Sequence, residues 1–391
     1  MQANQTNATE TPAKLARIEA YLAQDAGNAE LLATAIDLNL TLGRTVTARK
    51  HVDAALALYP NDHFFQHRSG SVYIAEGKLS EAEEVLTLLD KELTDPGIVY
   101  NLAYVYYLQG RNAEAHKKLL PYVDRPEATP ELVMLFLRTL HHMGEVKQAL
   151  EVVERQMEKY GTRTDFLGLA SLLYLDDGQM TQAENLSAAA LRTGAAPIEA
   201  LIASGTVSLG LGKIDVAKGC FKQALDINPS EGRGWSGLGL ASLLSRDLAT
   251  ATVELQRAVE TLPTHIGTWH SLAWCQLMNR DLSGAKASFN KALALDRNLG
   301  ETHGGLAVIA AFEGDRACAE ESINRALKLD AQGLSARYAQ MVLSGSIKDP
   351  VKFQNMAMQL LAARQGPFGK NLAEIIAVSY THLTLPTICS V

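Results

Sequence analysis

The sequence lacks the patterns that mark secreted, membrane-spanning and metal-binding proteins. Only four of its 391 residues are cysteine and none form a CxxC pair, so no zinc site or dithiol redox motif is present. No apolar run approaches the roughly 20 residues of a membrane helix. The N-terminus has no basic stretch followed by an apolar one, so it is not a secretory signal. We therefore expect a cytoplasmic protein with no membrane partner.

Signatures of nucleic-acid binding and of catalysis are also missing. The formal net charge is -7 and the pI is about 5.8, whereas nucleic-acid binding draws most of its affinity from a basic surface. The GxGxxG match at residues 232–237 follows a helical segment, not the strand that a dinucleotide site requires. The pair His141-His142 has no carboxylate or cysteine at metal spacing. We expect no nucleic-acid partner, no cofactor and no enzymatic activity.

The chain is dominated by a repeat of about 34 residues. Glycine recurs at positions 43, 77, 110, 144, 178 and 212, and the series continues at Arg246, Arg280 and Gly314. An alanine follows five residues after each of these nine positions. Glycine ends a helix in the left-handed conformation at low cost, and alanine allows two helices to approach closely. The period therefore predicts stacked helix pairs that share one core.

This pattern resembles the tetratricopeptide repeat family, whose 34-residue unit is a helix, a tight turn and a second helix. The seventh unit carries the resemblance best, with Trp235, Leu238, Gly239, Ala251, Leu255, Ala258 and Pro263. Several units lack the closing proline and two have arginine in place of the turn glycine. The resemblance implies an all-α fold, a right-handed α-solenoid of nine units over residues 29–333.

The segments outside the array have separate interpretations. We expect a disordered leader at 1–11, a capping helix at 12–28 and a degenerate helix pair at 334–365. Residues 366–377 read as the start of a truncated segment. Residues 378–391, VSYTHLTLPTICSV, have no place in the repeat register and resemble translated sequencing-adapter DNA, so we expect a non-native tail.

In this family the first helix of each unit lines a concave groove with its positions two, five, nine and twelve. Transferred by repeat phase, the candidate groove residues are Phe64, His67, Tyr100, Tyr104, Tyr107, Met134, Arg138, His141 and Trp274. The three tyrosines form one helical stripe, and tyrosine and arginine are frequent in interaction hot spots. The lysines and asparagines with which some members hold a C-terminal carboxylate are absent from positions five and nine.

The resemblance thus implies a protein-interaction scaffold, an adaptor of bacterial type that binds a peptide or partner protein in its groove. Two alternatives stay open. One is the repeat region of a larger, truncated enzyme such as a glycosyltransferase, sulfotransferase or methyltransferase. The other is a subunit of a secretion or pilus assembly. The partner and the oligomeric state are left open by the sequence.

Overall fold

The structure, a computed structural model, describes residues 2–192 and 194–346, with the backbone alone for residues 2–9. Those residues form helices and connections and contain no strand. The helices are α1 Gln2–Leu22, α2 Ala29–Thr41, α3 Thr45–Leu58, α4 His63–Ala75, α5 Leu79–Glu92, α6 Pro96–Leu108, α7 Asn112–Leu119, α8 Pro130–His142, α9 Val146–Tyr160, α10 Thr164–Asp176, α11 Met180–Leu191, α12 Ile198–Gly210, α13 Ile214–Ile227, α14 Gly232–Leu244, α15 Leu248–Thr261, α16 Ile266–Met278, α17 Leu282–Leu295, α18 Gly300–Glu313, α19 Arg316–Leu329 and α20 Leu334–Leu343.

The chain divides into two compact units, Met1–Gly161 and Thr162–Val391. In the first unit, α1 precedes four helix pairs, α2 to α9. In the second, five pairs, α10 to α19, are followed by α20. This division was not predicted from the sequence, which shows one unbroken series of repeats. The later part of the expected helix pair at 334–365, the segment 366–377 and the tail 378–391 lie outside the described residues.

The N-terminal helix is longer than the sequence pattern indicates. The described backbone is helical from Gln2 through Pro12 to Leu22, so α1 includes residues at which the sequence pattern predicts no helix. Hydrophobic periodicity detects only helices that bury one face, and the leader has no apolar stripe that would reveal such a helix. The predicted apolar face is present further along α1, where Leu15 and Leu22 are buried.

The turn inside each pair has the backbone geometry that the glycine series predicts. All seven turn glycines have a positive φ, from 67° at Gly43 to 80° at Gly178 and Gly314. Arg246 and Arg280 have φ values of 61° and 62°, so they hold the same left-handed conformation despite their Cβ atoms. The aspartate after each arginine caps the next helix through a side-chain hydrogen bond to a backbone N–H. This cap offsets part of the backbone strain that the left-handed conformation causes at Arg246 and Arg280.

The alanine series marks the closest approach of the two helices in a pair. All nine alanines have no exposed surface: Ala48, Ala82, Ala115, Ala149, Ala183, Ala217, Ala251, Ala285 and Ala319. A second small residue, in the first helix of a pair, lies opposite a large apolar residue of the second helix, as Gly205 and Gly239 show. A Cβ added at Gly205 would lie 2.7 Å from the Phe221 ring, and one at Gly239 would lie 2.5 Å from Leu255. The core therefore depends on glycine and alanine at fixed repeat positions.

Candidate functional site

The three tyrosines of α6 form a ladder on the surface of the first unit. The Tyr100 and Tyr104 rings are 6.1 Å apart and inclined by 6°, and the Tyr104 and Tyr107 rings are 6.4 Å apart and inclined by 14°. All three are half-buried. We call Tyr100, Tyr104 and Tyr107 the tyrosine ladder. It exists because positions i, i+4 and i+7 share one face of a helix whose other faces supply the core.

Helix α8 lies beside the ladder and contributes nitrogen-bearing side chains. The Tyr107 hydroxyl lies 3.0 Å from His142 Nε2, and the two rings meet edge to face at 5.3 Å. The His141 ring is 5.9 Å from that of His142. Partial burial lowers the pKa of His142, and the neighbouring His141 and Arg138 side chains lower it further. His142 is therefore neutral at pH 7, and the charged side chains that α8 places near the ladder include Arg138 and Glu131.

The electrostatic surroundings of Tyr100 show that α6 and α8 contribute to one surface. Burial raises the pKa of the Tyr100 hydroxyl, and the neighbouring Tyr104 and the carboxylate of Glu131 raise it further. Arg138 acts in the opposite direction. The hydroxyl therefore stays protonated at neutral pH and keeps its hydrogen for donation. Of the sequence candidates, Tyr100, Tyr104 and Tyr107 stack along α6, and Arg138 and His141 belong to the neighbouring helix α8.

On the other side of the ladder, α4 and α6 are joined by a polar network. The Asn101 Nδ2 atom lies 2.9 Å from His67 Nε2 and donates to Ser71 Oγ at 3.0 Å. Burial lowers the pKa of His67. Since one amide nitrogen supplies both hydrogens, His67 Nε2 accepts in this arrangement and the ring is neutral. Asn101 was not among the sequence candidates. It stands at position six of its repeat, and the candidates were taken only from positions two, five, nine and twelve.

Phe64 lies at a neighbouring cavity of ≈ 360 Å³, lined by residues of α2 and α4. Its ring is 53% exposed and the Arg68 guanidinium lies 3.6 Å from the ring centroid. Arg68 also donates to Asp37 at 2.7 Å. One ring face is thus covered by an internal cation, the ring also packs edge to face on Phe65 at 5.8 Å, and about half of the residue stays exposed.

Two predicted groove residues are mainly structural. Met134 is only 6% exposed, because α8 is buried on most of its faces. Trp274 lies in the second unit, edge to face with Phe289 at 5.9 Å and tilted against Tyr338 at 6.3 Å. These partners belong to α17 and α20. The position of Trp274 within its own helix does not predict contacts with residues of other helices. Neither side chain belongs to the surface around the ladder.

The second unit contains an ion pair that sequence reasoning missed. Arg233, at the start of α14, donates to Asp176, at the end of α10, through two nitrogens at 2.9 and 2.5 Å. Helix α12 lies between these helices in sequence, so the pair joins repeats two apart. The two residues are 57 positions apart in the chain, so no local sequence pattern predicts that they pair. The bidentate geometry is the strong form of this contact, although both side chains remain partly exposed.

Among the described residues, no group of three or more metal-ligating side chains occurs. Residues 232–237 open α14 after helix α13, so the GxGxxG match has no preceding strand. Of the described cysteines, Cys275 is buried, Cys220 is partly buried and Cys318 is exposed. No helix of the described chain has the length and hydropathy to cross a membrane.

Comparisons with known proteins agree with this fold. Residues 202–265, which cover the α12/α13 and α14/α15 pairs, match the sequence model of the tetratricopeptide repeat family. No curated protein sequence matches the chain. The human IFIT1 dimer with m7Gppp-AAAA is similar over 95% of this chain and 90% of its own, with 15% identity and a TM-score of 0.54.

A second structure of human IFIT1, the dimer with PPP-AAAA, gives a TM-score of 0.53 at 15% identity over the same shares of the two chains. A tetratricopeptide repeat protein from Parabacteroides merdae aligns with 60% of this chain and 93% of its own, at 16% identity and a TM-score of 0.46. Residues 202–265 are thus similar to the tetratricopeptide repeat family, and the left-handed turns and buried alanines of that segment recur in the other helix pairs of the described chain.

Proposed function

We propose that this protein is a non-catalytic adaptor that binds a peptide or partner protein on the first unit, at the tyrosine ladder and the adjoining residues of α4 and α8. The observation that carries the proposal is the ladder itself. The rings of Tyr100, Tyr104 and Tyr107 are stacked on the surface of α6, while Leu102, Ala103 and Val105 of the same helix fill the core. In this proposal the scaffold is the nine-unit array of residues 29–333.

The ladder has the energetic properties of an interaction hot spot. A tyrosine buries a large area and loses few rotatable bonds on binding. Parallel stacking already restricts the rotation of the three rings in the free protein. Binding a partner therefore costs less side-chain conformational entropy. Beside them, Arg138 supplies a charged group that could orient a ligand. An aromatic centre with a polar rim is the usual composition of a protein-binding surface.

The choice of a protein partner over a nucleic acid rests on charge. The solved IFIT1 complexes contain m7Gppp-AAAA and PPP-AAAA, but a likeness at 15% identity concerns the fold alone. The present chain carries a formal net charge of -7, and the ladder presents aromatic groups with a single nearby arginine cation. The three described cysteines are free thiols, which supports our placing the adaptor in the reducing cytoplasm.

The experiment compares two triple variants of the intact chain as bait in an extract of the source organism. The first replaces Tyr100, Tyr104 and Tyr107 with alanine. The control replaces Tyr73, Tyr106 and Tyr122, three tyrosines of the same unit that each lie beneath an arginine guanidinium. Both variants are checked for native helix content by circular dichroism.

We expect the ladder variant to lose a partner that the wild-type chain and the control variant both retain, identified by mass spectrometry. Retention of the same partners by all three folded baits would refute the proposed function.

A further inference from the structure

Helix α16 of the second unit begins at a histidine cap. His265 precedes the helix with an extended backbone, and its side chain accepts a hydrogen bond from the backbone N–H of Thr268. The His265 Nδ1 atom lies 3.2 Å from Thr268 N and 2.7 Å from Thr268 Oγ1. The imidazole thus takes the place of the carboxylates of Asp247 and Asp281, which cap α15 and α17.

A histidine cap forms only while the accepting ring nitrogen carries no proton. The imidazolium ion has an N–H donor at both nitrogens, so a protonated Nδ1 no longer accepts a hydrogen bond. The Thr268 hydroxyl can reverse and accept instead, whereas the Thr268 backbone N–H only donates. Protonation would therefore set two N–H groups against each other where 3.2 Å separates Nδ1 from the backbone nitrogen. It would also add positive charge at a helix N-terminus, where the helix dipole opposes it.

The surroundings of the His265 ring favour its uncharged form. Burial lowers the pKa of His265, Arg233 at the start of α14 lowers it further, and Asp176 at the end of α10 raises it. Arg233 and Asp176 are bound to each other, so their opposite effects on the ring oppose one another and burial sets the direction. From α15, α17 and α18, which also pack against α16, no charged group of the described residues acts on the ring.

The capped turn is also the place where α16 meets α14. Thr268 is only 1% exposed, and its hydroxyl lies 3.5 Å from Ser236 Oγ of α14. The next residue, Trp269, donates from its indole nitrogen to the carbonyl of Pro263 at 2.9 Å and packs against the apolar core between α15 and α16. Loss of the cap would therefore loosen a contact between two repeats and not a free helix end.

We propose that His265 is an acid-sensitive cap, which fixes the first turn of α16 while its ring is neutral and releases that turn when Nδ1 takes up a proton. Since the pKa of the capping ring lies below the ordinary value of about 6.5, the released state binds the proton more readily. The stability that the cap contributes is therefore complete above about pH 6.5 and is lost as the pH falls through the folded-state pKa. The Thr268 N–H keeps a second bond, to the His265 carbonyl at 3.2 Å, so the rest of α16 stays folded.

A second histidine of the same helix provides a matched control. The His270 Nε2 atom lies 2.8 Å from Thr302 Oγ1, and burial lowers the pKa of His270 as well. Its partner is a hydroxyl, which can accept a hydrogen bond from a protonated ring. If burial alone made α16 sensitive to acid, both histidines would contribute to the same degree. If the backbone donor is the cause, His265 dominates.

Tryptophan fluorescence of the intact chain measures this effect, because all three tryptophans, Trp235, Trp269 and Trp274, lie on α14 and α16. The wild type, His265→Asn and His270→Asn are titrated from about pH 8 to about pH 5. Asparagine caps a helix with an amide oxygen that does not titrate. We expect the wild type to show a fluorescence change with a midpoint below about pH 6.5, His265→Asn to lose that change and His270→Asn to keep it.

Hydrogen exchange measured by mass spectrometry separates release of the cap from a general loss of structure. After correction for the intrinsic exchange rate, protection of peptides that contain Thr268 should fall about tenfold or more between about pH 7.5 and about pH 5 in the wild type, and less than about twofold in His265→Asn. If His265→Asn fails to fold, His265→Ser supplies the same non-titrating cap. A wild type without these changes, or equal changes in the wild type and the capped variant, would overturn the proposal. Equal effects of His265→Asn and His270→Asn would contradict the assignment to the cap.

Discussion

Helix α6 of the first unit and helices α13 and α17 of the second use aromatic residues in opposite ways. In the first unit, α6 carries three tyrosines on its surface. In the second, Phe221 of α13 and Phe289 of α17 are fully buried, and glycines of the facing first helices make room for them. In the same kind of helix pair, aromatic residues can therefore either pack in the core or form an exposed surface available for binding. The facing residue distinguishes the two, since a ring opposite a glycine of another helix belongs to the core.

The largest expected effect tests the packing role. Phe221→Ala should lower the free energy of unfolding by about 3–5 kcal/mol, because it opens a cavity beneath Gly205 and Gly237. Leu86→Ala changes the same repeat position of the first unit and should cost about 2–5 kcal/mol. Chemical denaturation measures both. A loss below about 1 kcal/mol for Phe221→Ala would mean that the ring is not a core element.

The next prediction concerns the close approach that both units share. Ala217→Leu and its first-unit counterpart Ala82→Leu should each cost about 1–3 kcal/mol through overpacking, since neither alanine has exposed surface. Thermal unfolding, monitored by circular dichroism, measures the change in melting temperature of each variant. Unchanged melting temperatures in both variants would show that the helices can move apart without cost and that the alanine series has another origin.

Features that recur at the same position in every repeat are the ones that the sequence alone predicts. The turn glycines and alanines recur at fixed spacing because every unit solves the same local packing problem, so their positions and burial follow from the period. The ion pair of Arg233 with Asp176 and the partners of Trp274 depend on contacts between repeats, which vary from unit to unit. The burial of Met134 likewise depends on neighbouring helices and not on the phase of α8 alone.

A smaller effect separates the turns of the two units. All four turns of the first unit have glycine, whereas the second has Arg246 and Arg280 at a positive φ. Arg246→Gly should raise the free energy of unfolding by about 0.5–1 kcal/mol, since relief of left-handed strain exceeds the added freedom of the unfolded chain. Gly110→Arg should lower it by about 1 kcal/mol. Denaturation in which Arg246→Gly proves destabilising would show that the arginine side chain has an essential contact.

The smallest effect concerns the ion pair of the second unit. Asp176→Asn should lower the free energy of unfolding by less than about 1 kcal/mol, because both side chains are partly exposed and solvent screens the pair. The difference from wild type should shrink at high salt. A loss of several kcal/mol that is independent of salt would identify the pair as a buried structural contact.

The most direct test of the central claim, that the tyrosine ladder is the binding surface, is site-specific photo-crosslinking. The photoreactive residue p-benzoylphenylalanine is introduced in place of Tyr104, and separately in place of Tyr106 and of Trp235 in the second unit. Each intact chain is irradiated in an extract of the source organism. The account predicts a discrete protein adduct from the Tyr104 position that neither control position gives. Adducts from the Trp235 position alone, or equal adducts from Tyr104 and Tyr106, would contradict it.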